Sequence, residues 1–379
     1  MSPTIPTSSA PATSHGPVNL ALQGGGSHGA FTWGVLDTLL EDGRLSFEGI
    51  SGTSAGAMNA VAMAHGLAQA EGKSETEQRD AARASLQAFW EGVVAMGSLQ
   101  TSLANAQRVP FDLLFGGLAA LAGQQSPGQM VSDALTGFWA NSFSPYQTNP
   151  LDINPLQDFL ERQIDFKRLA AYKDLKVFVV ATKVSTGKAE IFSGKRLTAK
   201  AVMASACLPT VFRAVEIEGD HYWDGGYSGN PAIHPLVYNC DSSDMLLVQI
   251  NPLHRKAVPA SAADILDRLN EITFNAALIA EMRAIDFVKR LLEEGKLDPT
   301  RYKNVRMHRI DGGKALDAYP ASSKAQTDAA LIHRLRDLGK QSAAHWLAQK
   351  LDHVGVDSSI NIARDYLDDM RVPVGPGDI

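Results

Sequence analysis

Apolar and polar positions along the chain follow two different periods, and the changes between them mark its elements. Val18–Gln23 (VNLALQ) is a short apolar run with one polar interruption, closed by the glycine cluster Gly24–Gly29, and it predicts a buried strand. Ala30–Leu40 then places Phe31, Val35, Leu36, Leu39 and Leu40 at helical spacing. Phe47–Ile50 predicts a second short strand, and the alanine- and methionine-rich stretch Ala57–Ala70 a second helix. Strand, loop, helix, strand, turn, helix is the rhythm of a parallel α/β sheet.

Ser74 with Glu77 forms a capping box, opening a helix expected to run to Met96. Residues 98–150 mix apolar clusters with Gly, Pro and Asn and show no sustained period. Further on, Val177–Ala181, Ala189–Phe192 and Met245–Ile250 predict strands. Between them come a helix over Thr198–Cys207, stopped by Pro209, and a hairpin of Arg213–Ile217 and His221–Trp223 around Glu218-Gly219-Asp220. The last third is mostly helical. Ile265, Leu269, Ile272, Ala276 and Ile279 share one face of a helix reaching Gly295, expected to be a packing face. Val305–Ile310 predicts one more strand, followed by helices around 324–350 and 359–370.

No repeat or linker forces a division. The expected class is α/β, with residues 18–250 as the catalytic domain, a helical or irregular insertion around 98–150, and a mostly helical extension over 251–379 packed on the same domain. Residues 1–17, rich in Ser, Pro, Thr and Ala and lacking Lys, Arg and an apolar stretch, predict a disordered tail rather than a secretory signal.

Composition narrows the classes. Apolar residues at 45% and charged residues at 20% suit a globular enzyme and exclude a disordered, collagen-like or coiled-coil protein. A net charge of −6 disfavours nucleic acid, or an anionic bilayer taken as a whole, as the partner. Two cysteines, Cys207 and Cys240, fit a reduced compartment, so the expected location is cytoplasmic. The longest apolar run, Leu113–Gly123, is about half of a spanning helix, which leaves peripheral membrane contact open. No His, Cys, Asp or Glu cluster has ligand spacing, so neither metal nor cofactor is expected.

Two glycine motifs carry the chemistry. Gly24-x-Gly26-x-x-Gly29 lies between strand and helix, as a dinucleotide fingerprint would. That reading requires an acid at the end of the second strand. Ser51-Gly52-Thr53-Ser54-Ala55-Gly56 stands there instead. Gly52-x-Ser54-x-Gly56 matches a nucleophile elbow, whose sharp turn needs near-absent side chains two residues either side of the serine. The alternative for this pentapeptide is a plain capped helix start. Attack by a serine creates an oxyanion, and amides of Gly24, Gly25 and Gly26, with that of Ala55, are the candidate donors.

Gly24-Gly25-Gly26-Ser27-His28-Gly29, Gly52-Thr53-Ser54-Ala55-Gly56 and Asp224-Gly225-Gly226, in that order, resemble the patatin-like phospholipases. Ala204–Phe212 also resembles the family's segment before its Asp-Gly-Gly turn, and the likeness covers roughly 18–250. It implies a three-layer sandwich around the sheet and a Ser54–Asp224 dyad hydrolysing lipid acyl esters through an acyl-enzyme, without a metal. Gly29, Gly52, Gly56, Gly225 and Gly226 would support the motifs, the last two letting the turn pack against the elbow, with Tyr222 and Trp223 as low-dielectric cover for Asp224. His28 departs from the Arg or Lys usual at its position, which puts an anion-binding role of this loop's cation in doubt.

The residues leave alternatives open. A Ser–acid–His triad could draw on His234, His254, His308, His333, His345 or His353. Asp311-Gly312-Gly313 repeats the Asp-Gly-Gly string, although Asn230-Pro231 after Asp224 favours the first copy. Residues 98–150, through Phe111, Leu114, Phe115 and Leu118, are either a cap over an acyl site or buried core. The same dyad would also serve an esterase, a thioesterase or a hydroxyacid-polyester hydrolase. A non-catalytic lipid-binding protein is the third class, and the sequence leaves the oligomeric state undetermined.

Overall fold

The computed structural model describes residues 15–119, 155–209, 212–255, 258–319, 323–324 and 326–367. Strand β1 (Val18–Leu22), helix α1 (Gly29–Asp42), strand β2 (Phe47–Thr53) and helix α2 (Ala55–Gln69) follow in the expected order. Helix α3 (Glu75–Ala119) opens on the Ser74–Glu77 box, where Glu77 N donates to Ser74 Oγ and Ser74 N to Glu77 Oε2. It continues past the expected end at Met96, so the first part of the 98–150 segment is helical; residues 120–154 lie outside the described residues.

Two short helices that no period announced, α4 (Pro155–Gln163) and α5 (Phe166–Ala171), lead to strands β3 (Lys176–Lys183) and β4 (Ala189–Phe192). Helix α6 (Ala199–Ser205) is capped by the Thr198 hydroxyl, which accepts from Ala201 N. Strands β5 (Val215–Ile217) and β6 (Asp220–Asp224) form the expected hairpin, with Glu218 and Gly219 both at positive φ, the conformation a two-residue hairpin turn needs. Helix α7 (His234–Asn239), strand β7 (Asp244–Gln249), helix α8 (Ala262–Glu293), strand β8 (Arg306–Asp311) and helices α9 (Gly313–Asp317), α10 (Ala329–Gln349) and α11 (Ile362–Tyr366) complete the chain.

The strands make one sheet, paired in the order β5–β6–β3–β2–β1–β7–β8 with β4 also on β3. The pairs among β3, β2, β1, β7 and β8 are parallel. Those of β3 with β4 and β6, and of β5 with β6, are antiparallel. Alternation along the strands builds a core on each face. Leu20, Leu22, Val179, Leu246 and Val248 face α1, α2 and α10, while Ala21, Phe178, Met245 and Leu247 face α7, α8 and α11. Each fully buried large side chain of these layers contributes roughly 1.5–3 kcal/mol.

Residues beyond Asn251 therefore reach both faces and one edge of the sheet. Strand β8 extends it beside β7, and α10 lies directly on α1, where Gly34 backs onto the Arg336 carbonyl and Gly339 onto the Phe31 carbonyl. One expectation fails. Ile265, Leu269 and Ile272 of α8 are 42%, 54% and 50% exposed, and Ala276 is exposed as well. The helix carries two apolar stripes, and the one turned inward is Phe274, Leu278, Met282 and Ile285.

Candidate active site

The register of β3 brings two distant motifs together. Its residues Val179 and Val180 pair with β2 and with β4, and Ala181 and Thr182 pair with β6 and with β4. A strand has two edges, so β2 and β6 share one edge of β3, end to end. Thr53 lies opposite Val180 and Asp224 opposite Ala181, one step further along. Ser54, the residue after Thr53, therefore meets the end of β6.

Ser54 has φ 53° and ψ −121°, a strained conformation for a residue with a side chain. Its amide donates to Ser205 Oγ at 2.8 Å, and Ser205, at the end of α6, is fully buried. Gly52 and Gly56 sit back to back, so that a Cβ on Gly52 would collide with the Gly56 carbonyl. A Cβ on Gly29 would lie 2.6 Å from that of Ala55, the first residue of α2. Helix α2 thus starts directly behind the hydroxyl, pointing its positive end at it.

Asp224 is 1% exposed. Its carboxylate accepts from Gly226 N at 2.7 Å and lies beside the Ser54 hydroxyl, which favours the ionised form. Its own amide donates to the Cys207 carbonyl at 2.7 Å, and the Thr182 hydroxyl donates to its carbonyl at 2.8 Å. Burial pushes the carboxyl up to about 7, against the opposing pull of the Gly226 and Ser54 donors. Gly225 lets the turn rest on the Val180 carbonyl and the Thr53 methyl, while Gly226 faces Phe274 of α8, 2.8 Å from where its Cβ would be. Tyr222 is buried against the ring of Phe192, and Phe274 and Tyr227 pack edge to face beside the turn. The apolar cover thus includes a residue from beyond Asn251.

The glycine loop is pressed onto the elbow from the other side. A Cβ on Gly24 would lie 2.6 Å from the Thr53 carbonyl and 2.7 Å from Ser54 Cβ. Gly24 N donates to Asn230 Oδ1 at 2.6 Å, so of the four candidate donors this amide is already spent. Gly25 packs on Ile250, and Gly26 has φ +55° against the Lys324 carbonyl. The amides of Gly25, Gly26 and Ala55 have no acceptor among the described residues.

Behind the loop lies a buried amide network that no motif signalled. Gln23 Oε1 accepts from Ile250 N, Asn251 N and Asn251 Nδ2 at 2.9, 2.9 and 3.1 Å. Its Nε2 donates to the Asn230 carbonyl and to Asn275 Oδ1 of α8. Four of the six rival histidines pair with carboxylates of their own. His234, His308, His333 and His353 pair with Glu281, Asp244, Glu91 and Asp357 respectively. Asp311 pairs with Arg309 on the edge strand β8. Among the described residues no group of three or more His, Cys, Asp or Glu side chains could hold a metal ion, and no helix is long and apolar enough to cross a membrane.

The model of the patatin-like phospholipase family matches residues 20–237, more than half of the chain and all three motifs. No curated protein matches. Among solved structures, VipD from Legionella pneumophila is similar at 14% identity, with 94% of this chain and 73% of that chain covered and a TM-score of 0.40. A family match of that extent, over a sheet whose register joins the serine turn to the Asp-Gly-Gly turn, means that the chain belongs to the patatin-like phospholipases.

Proposed function

We propose that the chain hydrolyses carboxylic ester bonds of lipids, with Ser54 as nucleophile and Asp224 as general base. The observation that carries the reading is the register of β3, which sets a strained-turn serine beside an almost fully buried carboxylate. A carboxylate at its ordinary value near 3.9 is a weak base at neutral pH. One lifted to about 7 is matched to the task, and it stands beside the hydroxyl whose proton it would receive.

Ser54 Oγ forms a bond to the acyl carbonyl carbon while its proton passes to Asp224. The carbonyl oxygen becomes an oxyanion, received by amides of Gly25, Gly26 and Ala55; each such donor is worth about 3–4 kcal/mol. Gly24 acts sterically, because its amide is committed to Asn230. Collapse breaks the ester C–O bond, and Asp224 returns the proton to the departing alcohol. Water then attacks the acyl-Ser54 ester, giving its proton to Asp224, and the acid leaves as Ser54 Oγ is reprotonated.

A lipid substrate reaches the site from an aggregate or a bilayer surface. The exposed ridge of Ile265, Leu269 and Ile272 supports contact with such a surface, because the same helix packs through Phe274 on the Asp224 turn. An active-serine phosphonate is expected to label Ser54 in the native chain, and Ser54→Ala to lose both labelling and turnover of phospholipid vesicles. Lipid binding without labelling would instead indicate a non-catalytic protein.

A further inference from the structure

The glycine loop is clamped by residues outside the stretch that matches the family. Ser323 Oγ hydrogen bonds to His28 Nε2 at 2.7 Å, the Gln326 carbonyl accepts from the Ser27 hydroxyl, and the Lys324 carbonyl lies against Gly26. The Lys324 side chain runs along Gly25, with Cε 3.6 Å from where a Cβ would be, and its Nζ donates to Asn251 Oδ1 at 2.6 Å. Asn251, 1% exposed, in turn donates through Nδ2 to the Gly24 carbonyl at 2.8 Å. That carbonyl and the Gly25 N–H belong to one peptide group. A cation, a side-chain amide and a backbone amide are thus linked in series, and hydrogen bonds in series polarise one another, most strongly when a charge heads the chain.

We propose that Lys324 is a positioning residue of the oxyanion loop, acting through Asn251 and the Gly24–Gly25 peptide to orient and polarise the Gly25 N–H toward the oxyanion. The proposal rests on the reading of Ser54 as the nucleophile. It also accounts for His28. Burial first, then the charges of Lys324 and Arg255, push that imidazole down to about 3, so it is neutral at working pH and the loop's positive charge comes from Lys324.

Three other charged groups face Lys324: Glu271, Arg255 and Asp267. Glu271 is shared between Arg255, at 2.5 Å, and Arg268, at 3.1 Å, and so offers Lys324 only part of its charge. Burial, with Arg255 adding to it, brings the ammonium down to about 8. Below that pH the relay is headed by a cation, and above it by a neutral amine.

The test is kcat and KM on a short-chain soluble ester from about pH 6 to about pH 10 for the native chain, Lys324→Met and Lys324→Arg. Lys324→Met is expected to lower kcat about tenfold to a hundredfold with KM within about twofold, because the donor is weakened and not removed. Lys324→Arg is expected to recover most of that loss. The native chain should lose turnover above about pH 8, and the Arg variant should keep it to higher pH. A Met variant with kcat within about twofold of native, or the same alkaline loss in the Arg variant, overturns the proposal. If the Met variant fails to melt cooperatively, the native and Arg profiles decide alone. Phosphonate labelling of native Ser54 with an unaffected Met variant sinks this proposal only, whereas no labelling of native Ser54 sinks the serine reading beneath it.

Discussion

The chain contains the string Asp-Gly-Gly twice, and the two copies make the same aspartate-to-backbone hydrogen bond in different surroundings. Asp224 Oδ1 accepts from Gly226 N at 2.7 Å, and Asp311 Oδ1 accepts from Gly313 N at 3.0 Å. Each carboxylate ends a strand. Asp224 ends β6, almost fully buried, beside the Ser54 hydroxyl and with its carboxyl lifted to about 7. Asp311 ends the edge strand β8, half-buried, with the Arg309 guanidinium at 2.7 Å. Strands β1 and β7 separate β8 from β2, so this acid is about three strand spacings, or about 14 Å, from the elbow. The comparison teaches that the turn sequence supplies only an acid at a strand end. Its environment decides whether that acid is a base or a surface ion-pair partner.

The contrast between the two acids can be measured. Ser54→Ala is expected to have the largest effect, lowering kcat/KM by about 10⁴-fold or more. Asp224→Asn should follow, at about 10²–10⁴-fold, the range of a lost general base. Its stability should move the other way. An acid whose folded value lies above its unfolded value costs stability progressively as pH rises from about 4 to about 7, and the full cost, on the order of 4 kcal/mol, remains at higher pH. Asp224→Asn is therefore expected to melt higher than the native chain at about pH 8, with the gap closing toward about pH 4. No such gap would argue against an isolated buried carboxylate.

In the native chain, kcat/KM should fall about tenfold per pH unit below about 7, because only the ionised Asp224 accepts the proton. A rate that stayed level down to pH 5 would shift the base elsewhere. Replacing Leu269 and Ile272 together by Ser is expected to slow turnover of vesicles by about threefold to tenfold and to spare a soluble ester. Equal losses on both substrates would return this ridge to a structural role. Asp311→Asn should change either rate by less than about twofold. A loss like that of Asp224→Asn would erase the distinction between the two copies.

Much of this was legible along the chain because it depends on local periods and turn chemistry. The strand–glycine–helix units around Gly24–Gly29 and Gly52–Gly56, the 218–220 hairpin and the Ser74 cap each follow from residues within a few positions of one another. The long helix α8 shows where this ends. Its sequence contains two apolar stripes, and only the packing of Phe274, Leu278 and Met282 against the sheet decides which is inside.

Local patterns along the chain were enough for the α/β order, the Gly52–Gly56 turn, the glycine loop and the short set of candidate acids. Which of those acids lies beside the serine depends on the sheet, which sets Thr53 and Asp224 opposite successive residues on the same edge of β3. The tertiary structure alone gave Gln23, Asn230, Asn251, Asn275 and Lys324 a place behind the loop, and Ser205 its place behind the elbow. Such residues have no motif because each acquires its partner from a segment 73 to 252 positions away. The cost of leaving it unpaired, not any local preference, is what holds it there.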